Sequence, residues 1–210
     1  MSVKKIIYWL LVLGITLIIL SYFFIDLRVE RWAITHPRGS SIFDISEFIS
    51  HFGESTYPLI VSALLWLFWK FWKKSQELAS KAGFFFLSIV ITGLASNILK
   101  LIFGKARPLL LKDHEEFGFS WLVLPSDYVH QSFPSGHTTT AFTIATALTL
   151  MFPRWWPLFY GYAVMEGLSR IGVWFHYPSD VMAGALLGTT LTLLLYQWPK
   201  ISFKKSKKTL

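Results

Sequence analysis

Residues 6–25 read IIYWLLVLGITLIILSYFFI, a run with no charge between Lys5 and Asp26. A hydrocarbon core of roughly 30 Å is crossed by about 20 helical residues, so this stretch is long enough to span a bilayer. Lys4 and Lys5 ahead of it also suit a secretory leader. The apolar run is too long for one, however, and Ser21-Tyr22-Phe23-Phe24 offers no small-residue cleavage site, so a retained anchor is expected.

Working outward, comparable apolar runs recur at 57–72, 82–103, 138–152, 155–175 and 181–198, separated by polar or Pro/Gly-containing segments. A mean hydropathy of +0.48 with 15% charged residues agrees with a membrane protein. The expected fold is all-α, an integral membrane bundle of six transmembrane helices forming one domain over 1–210. An even number of spans puts both termini on one side. Lys4, Lys5, Lys70, Lys73, Lys74, Lys81, Arg154 and the lysines of the tail 199–210 fall on that side, which the positive-inside rule makes cytoplasmic.

The formal charge of +8 does not point to nucleic acid, because the basic residues sit at the ends of apolar runs and form no stripe interleaved with exposed aromatics. No cysteine is present, which excludes disulfides, thiolate metal sites and cysteine nucleophiles. Between the first two runs, Ile42, Ile45, Ile49 and Phe52 recur at helical spacing. An interfacial helix and a short helix packed on the bundle both fit them.

Three polar clusters meet at the outer ends of these runs: Lys100 with Arg107-Pro108, Pro134-Ser135-Gly136-His137, and Ser169-Arg170 with His176 and Asp180. Phosphoryl transfer needs cations for the spread charge, donors for the equatorial oxygens, an in-line nucleophile and an acid for the leaving oxygen. Lys100, Arg107 and Arg170 supply the cations, two of them as forked guanidiniums. Ser135 and the Gly136 amide supply donors at a helix start, where the dipole also favours an anion. Asp180 lies four residues after His176 and can fix its tautomer, leaving the other ring nitrogen to attack phosphorus. His137 then serves as acid, and later as the base for water.

In these residues the chain resembles the type 2 phosphatidic acid phosphatase superfamily, whose signature reads K-x6-RP, PSGH and SR-x5-H-x3-D. All three parts are present, within residues 100–180. The resemblance implies a metal-independent enzyme without cofactor, working through a phosphohistidine on His176. Asp180 is then its orienting carboxylate, His137 the general acid, and Lys100, Arg107, Ser135, Gly136 and Arg170 the phosphate pocket. Membrane members have a six-helix core; soluble relatives hold vanadate in the same pocket.

The expected substrate is a lipid phosphate monoester or diphosphate: undecaprenyl diphosphate, phosphatidylglycerophosphate, phosphatidic acid or a lipid A phosphate. A pocket at headgroup level meets membrane lipids by lateral diffusion, with Phe43, Phe48, Phe117, Phe119 and Trp121 as candidates to line the approach. Brevity favours a bacterial inner-membrane enzyme whose site faces the periplasm or exterior. Rival readings are a phosphatase or phosphotransferase for a soluble ester, and a non-catalytic lipid-phosphate binding or transport protein.

No oligomeric state is assigned by the sequence. Asp113, Glu115 and Glu116 resemble a divalent-metal cluster but read as solvated loop carboxylates. His36, His51, His114 and His130 have no partner at a recognisable spacing. Glu166, outside the signature, lies one helical turn before Arg170 and is expected to hold that guanidinium, or else Lys100, in place.

Overall fold

The structure, a computed structural model, describes residues 2–198; the basic tail 199–210 lies outside them. Among the described residues all regular structure is helical, apart from an isolated antiparallel bridge between Lys105 and Phe119. The opening apolar run forms α1 (Val3–Phe24), capped by Ser2, whose hydroxyl accepts from the Lys5 amide. The chain then turns into α2 (Asp26–Ile34) and the amphipathic α3 (Ser41–Ser50).

The remaining apolar runs also become helices. They are α4 (Thr56–Leu67), continued by a π-helical turn at Phe68–Trp72; α5 (Gln76–Phe103); α7 (Gly136–Met151); α8 (Trp156–Gly172); and α9 (Pro178–Gln197). The short α6 (Pro108–His114) lies between α5 and α7. α1, α5 and α9 are each long and apolar enough to cross a bilayer, making this an integral membrane protein. α4, α7 and α8, at 12, 16 and 17 residues, are shorter.

Boundaries shift for local reasons. α5 begins six residues before the apolar run at 82, where Glu77 and Lys81 pair at 2.9 Å across one helical turn. α8 stops at Gly172, short of the run's end at 175. Trp174, at φ 59°, turns the chain out of the helix and delivers Phe175 and His176 to a loop. α2 and α6 carry no long apolar run and were not marked by periodicity.

α7 sits at the centre, built of small residues that let neighbours approach. In lipid no hydrophobic force drives helices together, so close backbone packing and hydroxyl bonds take over. A Cβ at Gly184 would stand 2.6 Å from the Ser135 carbonyl oxygen, and one at Gly188 would stand 3.0 Å from the Thr143 nitrogen, so α9 lies directly on the α7 backbone. Ala141 and Ala145 meet Ala163 of α8, and Thr143 Oγ1 donates to Thr92 Oγ1 of α5 at 3.0 Å.

α3 is packed on the bundle. Its Phe43 and Ser50 are buried against the α8 side of the bundle, while Ile45, Phe48 and Phe52 stay exposed. The docking runs down α8. Arg170 Nη1 donates to Ser50 Oγ, a Cβ at Gly172 would overlap the Ser46 side chain, and Tyr162 Oη donates to the Phe52 carbonyl at 2.7 Å. Just past α8, Trp174 Nε1 donates to the Ala33 carbonyl at 2.9 Å.

Candidate active site

Each polar cluster owes its position to a helix end. Gly104, left-handed at φ 56°, ends α5 one turn after Lys100, and Pro108 starts α6, so Arg107 sits between two helices in extended backbone. Ser135 caps α7, accepting from the Thr138 amide at 3.4 Å, so the Gly136 and His137 amides precede the first intrahelical bond. Pro178 opens α9, and Asp180 in its first turn accepts from the Tyr177 amide at 2.9 Å.

The fold brings the three clusters together. Ser135 N donates to the Asp180 carbonyl at 3.0 Å, joining the second cluster to the third. Lys100 Nζ donates to the Gln131 carbonyl at 2.7 Å, and Arg107 Nη2 reaches the same oxygen at 3.2 Å. Arg107 also grips the Tyr128 carbonyl through Nε at 3.0 Å and the Phe175 carbonyl through Nη1 at 3.3 Å, with its guanidinium 3.9 Å over the Tyr128 ring. Lys100, Arg107 and Arg170 take part in no ion pair among the described residues. Their charge and remaining donors are free for an anion.

His176 is 2% exposed. Its Nδ1 faces Asp180 Oδ2 at 3.7 Å and Ser132 Oγ at 3.5 Å, so the other ring nitrogen is the one turned away from the carboxylate. The expected hydrogen bond to Asp180 is thus an approach just beyond bonding length, and such contacts tighten when substrate binds. Oδ2 meanwhile accepts from Ser132 Oγ at 2.6 Å. Burial pushes the His176 imidazole well below the ordinary histidine range, and the charges of Lys100, Arg107, Arg170 and His137 add to the effect. Both effects favour the uncharged imidazole.

His137 lies between two cavities. One, of about 450 Å³, is lined by Arg38, Phe43, Glu47, His51, Tyr128 and Arg170 among others; a smaller one of about 140 Å³ holds Ser96, Asn97 and Gly136. A larger groove of about 740 Å³, between α1 and α9, is almost wholly apolar and contains none of the signature residues, so size does not mark the site.

Several sequence expectations need correction. Glu166 is fully buried and within electrostatic reach of Arg170, but among the described residues its carboxylate makes no hydrogen bond and no ion pair of bonding length. It packs against Gly53, where a Cβ would overlap it, and Arg170 turns to Ser50 instead. Of the aromatics expected at the approach, Phe43 lines the cavity, whereas Phe117 and Phe119 pack around Lys105 and Phe48 faces outward.

His130 is not partnerless. Nε2 meets Glu116 at 2.8 Å and Nδ1 meets Asp127 at 2.8 Å, and these bonds outweigh burial to hold it above its ordinary range. Glu115 lies 3.6 Å from Arg31, so the loop carboxylates diverge toward separate cations. Sequence reasoning missed Ser132, Ser50, Lys105 and Asp26. Lys105 alone had a signal, a cation inside the K-x6-RP segment.

The apolar helices thus gather a buried imidazole, a carboxylate beside it and three cations that form no ion pair among the described residues. The chain belongs to the PAP2 superfamily, whose family model matches residues 81–204. It is 33% identical to a lipid A 1-phosphatase from Rhizobium etli, over 80% of this chain and 77% of that protein. It is 29% identical to an undecaprenyl-diphosphatase from Sulfolobus acidocaldarius, over 92% of both. The crystal structure of Aquifex aeolicus LpxE superposes with a TM-score of 0.60 at 26% identity, covering 82% of this chain and 95% of that one.

Proposed function

We propose that this protein hydrolyses a phosphate from a membrane lipid at the outer bilayer surface, with His176 as nucleophile. In this reading all six apolar helices span, both termini are cytoplasmic and the site faces the periplasm or cell exterior. The observation that supports it is His176 itself, buried with Nδ1 3.7 Å from Asp180 and within electrostatic reach of Lys100, Arg107, Arg170 and His137.

Nε2 attacks phosphorus while the Nδ1 proton is held toward Asp180. The P–O bond to the lipid breaks, and the departing oxygen takes a proton from His137. A bound phosphate dianion offsets the cations around His137, which lets that imidazole carry the proton. Water, giving a proton back to His137, then attacks the phosphohistidine, breaking the N–P bond and releasing phosphate. Lys100, Arg107, Arg170, the Ser135 hydroxyl and the Gly136 amide hold the equatorial oxygens. Glu166 stands one turn behind Arg170 as a neighbouring carboxylate without a direct bond.

The substrate class follows from the relatives' names, and is supported by the cavity, whose lining includes Arg38 and His51 beside the amphipathic α3. Lipid A 1-phosphate and undecaprenyl diphosphate head the candidates. The test is phosphate release by the purified protein from both, from phosphatidic acid and phosphatidylglycerophosphate, and from a soluble sugar phosphate, all with chelator present. Release from a lipid phosphate, lost in His176→Ala, is expected. Release from the sugar phosphate alone, or an active His176→Ala, overturns the reading.

A further inference from the structure

We propose that Lys105 and Asp26, which belong to no part of the signature, form with Ser179 a sealed clamp that positions Asp180, and through it His176, for attack. Lys105 Nζ donates to Asp26 Oδ2, Ser179 Oγ and Asp180 Oδ1, each at 2.8 Å. An ammonium has a hydrogen for each of these bonds and none to spare, so this lysine cannot also hold phosphate. Asp26 is equally saturated: Oδ1 accepts from Ser21 Oγ at 3.0 Å and the Ser179 amide at 2.9 Å, and Oδ2 from Ser179 Oγ at 2.5 Å. With Lys105 on Oδ1 and Ser132 and Tyr177 N on Oδ2, Asp180 has one orientation, the one that faces His176.

Lys105, Asp26 and Asp180 are all 0% exposed. Tyr22, Phe117, Phe119, Phe133 and Tyr177 place their rings around the ammonium, the nearest, Tyr177, at 4.5 Å. Burying such a pair costs desolvation that its attraction does not reliably return, so stability alone is a poor account of it.

Charge balance gives a better one. Glu30, fully buried beside the cluster, has no hydrogen-bond partner for either oxygen. Burial first, and then Asp180 and Asp26, raise it well above the usual carboxylate range, which favours the neutral acid, and the three bonds of Lys105 all go elsewhere. Two carboxylates therefore share one ammonium, and the surplus negative charge lies behind His176. When Nε2 bonds phosphorus the imidazole becomes cationic, and that surplus is already in place to receive the charge.

This rests on the roles given above to His176 and Asp180, and the test separates the two. Full-length protein is assayed in detergent micelles across pH on its best substrate from the lipid panel. Wild-type turnover that disappears in His176→Ala secures the underlying reading; no wild-type turnover anywhere on the panel removes that reading and the clamp with it. On a secured background, Asp26→Asn and Lys105→Met should each lower kcat by about tenfold to a hundredfold, with KM changed less than about threefold.

The acidic limb of kcat/KM carries the sharper readout, because His176 must be uncharged to attack. It is faced by Lys100, Arg107, Arg170, His137 and Asp180. Removing the Lys105 charge makes the imidazole easier to protonate and moves the limb up, by about one pH unit; removing the Asp26 charge moves it down. The double variant should fall between. A packing role would not give shifts of opposite sign. Limbs that stay put, or move the same way, overturn the clamp. If Lys105→Met does not fold, the near-isosteric Asp26→Asn decides alone: a downward shift supports the clamp and any other result overturns it.

Discussion

The two sides of His176 are built from the same residue types and balanced in opposite ways. In front, Lys100 and Arg107 are tied to carbonyls, and Arg170, which lines a cavity, to a serine, with no carboxylate ion pair among the described residues. Behind, Lys105 is saturated by two carboxylates and a serine, and is walled by aromatic rings. A cation meant to bind an incoming anion must keep charge unspent. One meant to fix a neighbour must spend it all. Carbonyl partners allow the first because they orient a cation without neutralising it.

The sharpest attempt to break this contrast is Asp180→Asn. It keeps shape but removes the charge behind the nucleophile, and should cost about a hundredfold to ten-thousandfold in kcat with little change in KM. Steady-state kinetics on a lipid phosphate measures this; a loss confined to KM would mean that Asp180 belongs to the binding side. Arg107→Lys probes the front. A point charge replaces a fork that holds three carbonyls, and about a tenfold to hundredfold loss in kcat/KM is expected, chiefly through KM.

Glu166→Gln should be milder, within about threefold in both parameters, because no donor in the structure grips that carboxylate. A tenfold weaker inhibition by inorganic phosphate would instead return Glu166 to the front as a partner of Arg170. The smallest effect concerns the outer loop that Arg107 holds. His130 has its proton affinity raised by Asp127 and Glu116, so the latch is complete below the unfolded histidine value. It is lost as pH rises through the elevated folded one. Being partly exposed it is screened. Protection of the 116–131 amides, taken relative to the base-catalysed rate of the unfolded chain at each pH, should fall as pH rises through the elevated His130 value, and His130→Gln should remove that fall.

The helices and the front of the site were legible in the sequence for one reason: both are written locally. Apolar run lengths mark helices, and Pro134 to His137 or His176 to Asp180 sit within a turn of each other. The back was hidden because it is made by contacts across 153 positions between Asp26 and Ser179 and 75 between Lys105 and Asp180. In the sequence Asp26 reads as the end of an anchor and Lys105 as one more outer cation. Glu166 misled in the opposite sense. Its helical spacing from Arg170 is real and brings the two charges within reach, but the hydrogen bond that Arg170 Nη1 makes goes to Ser50 of α3.

The seam between α7 and α9, where Gly184 and Gly188 rest on backbone with no room for a methyl group, has a thermodynamic consequence. These helices begin with the two histidine clusters, and at both glycines the nearest neighbour across the seam is backbone. The separation of His137 and His176 is therefore set by main chain against main chain, and its entropy is surrendered when the protein folds. None of it has to be given up again each time a lipid arrives.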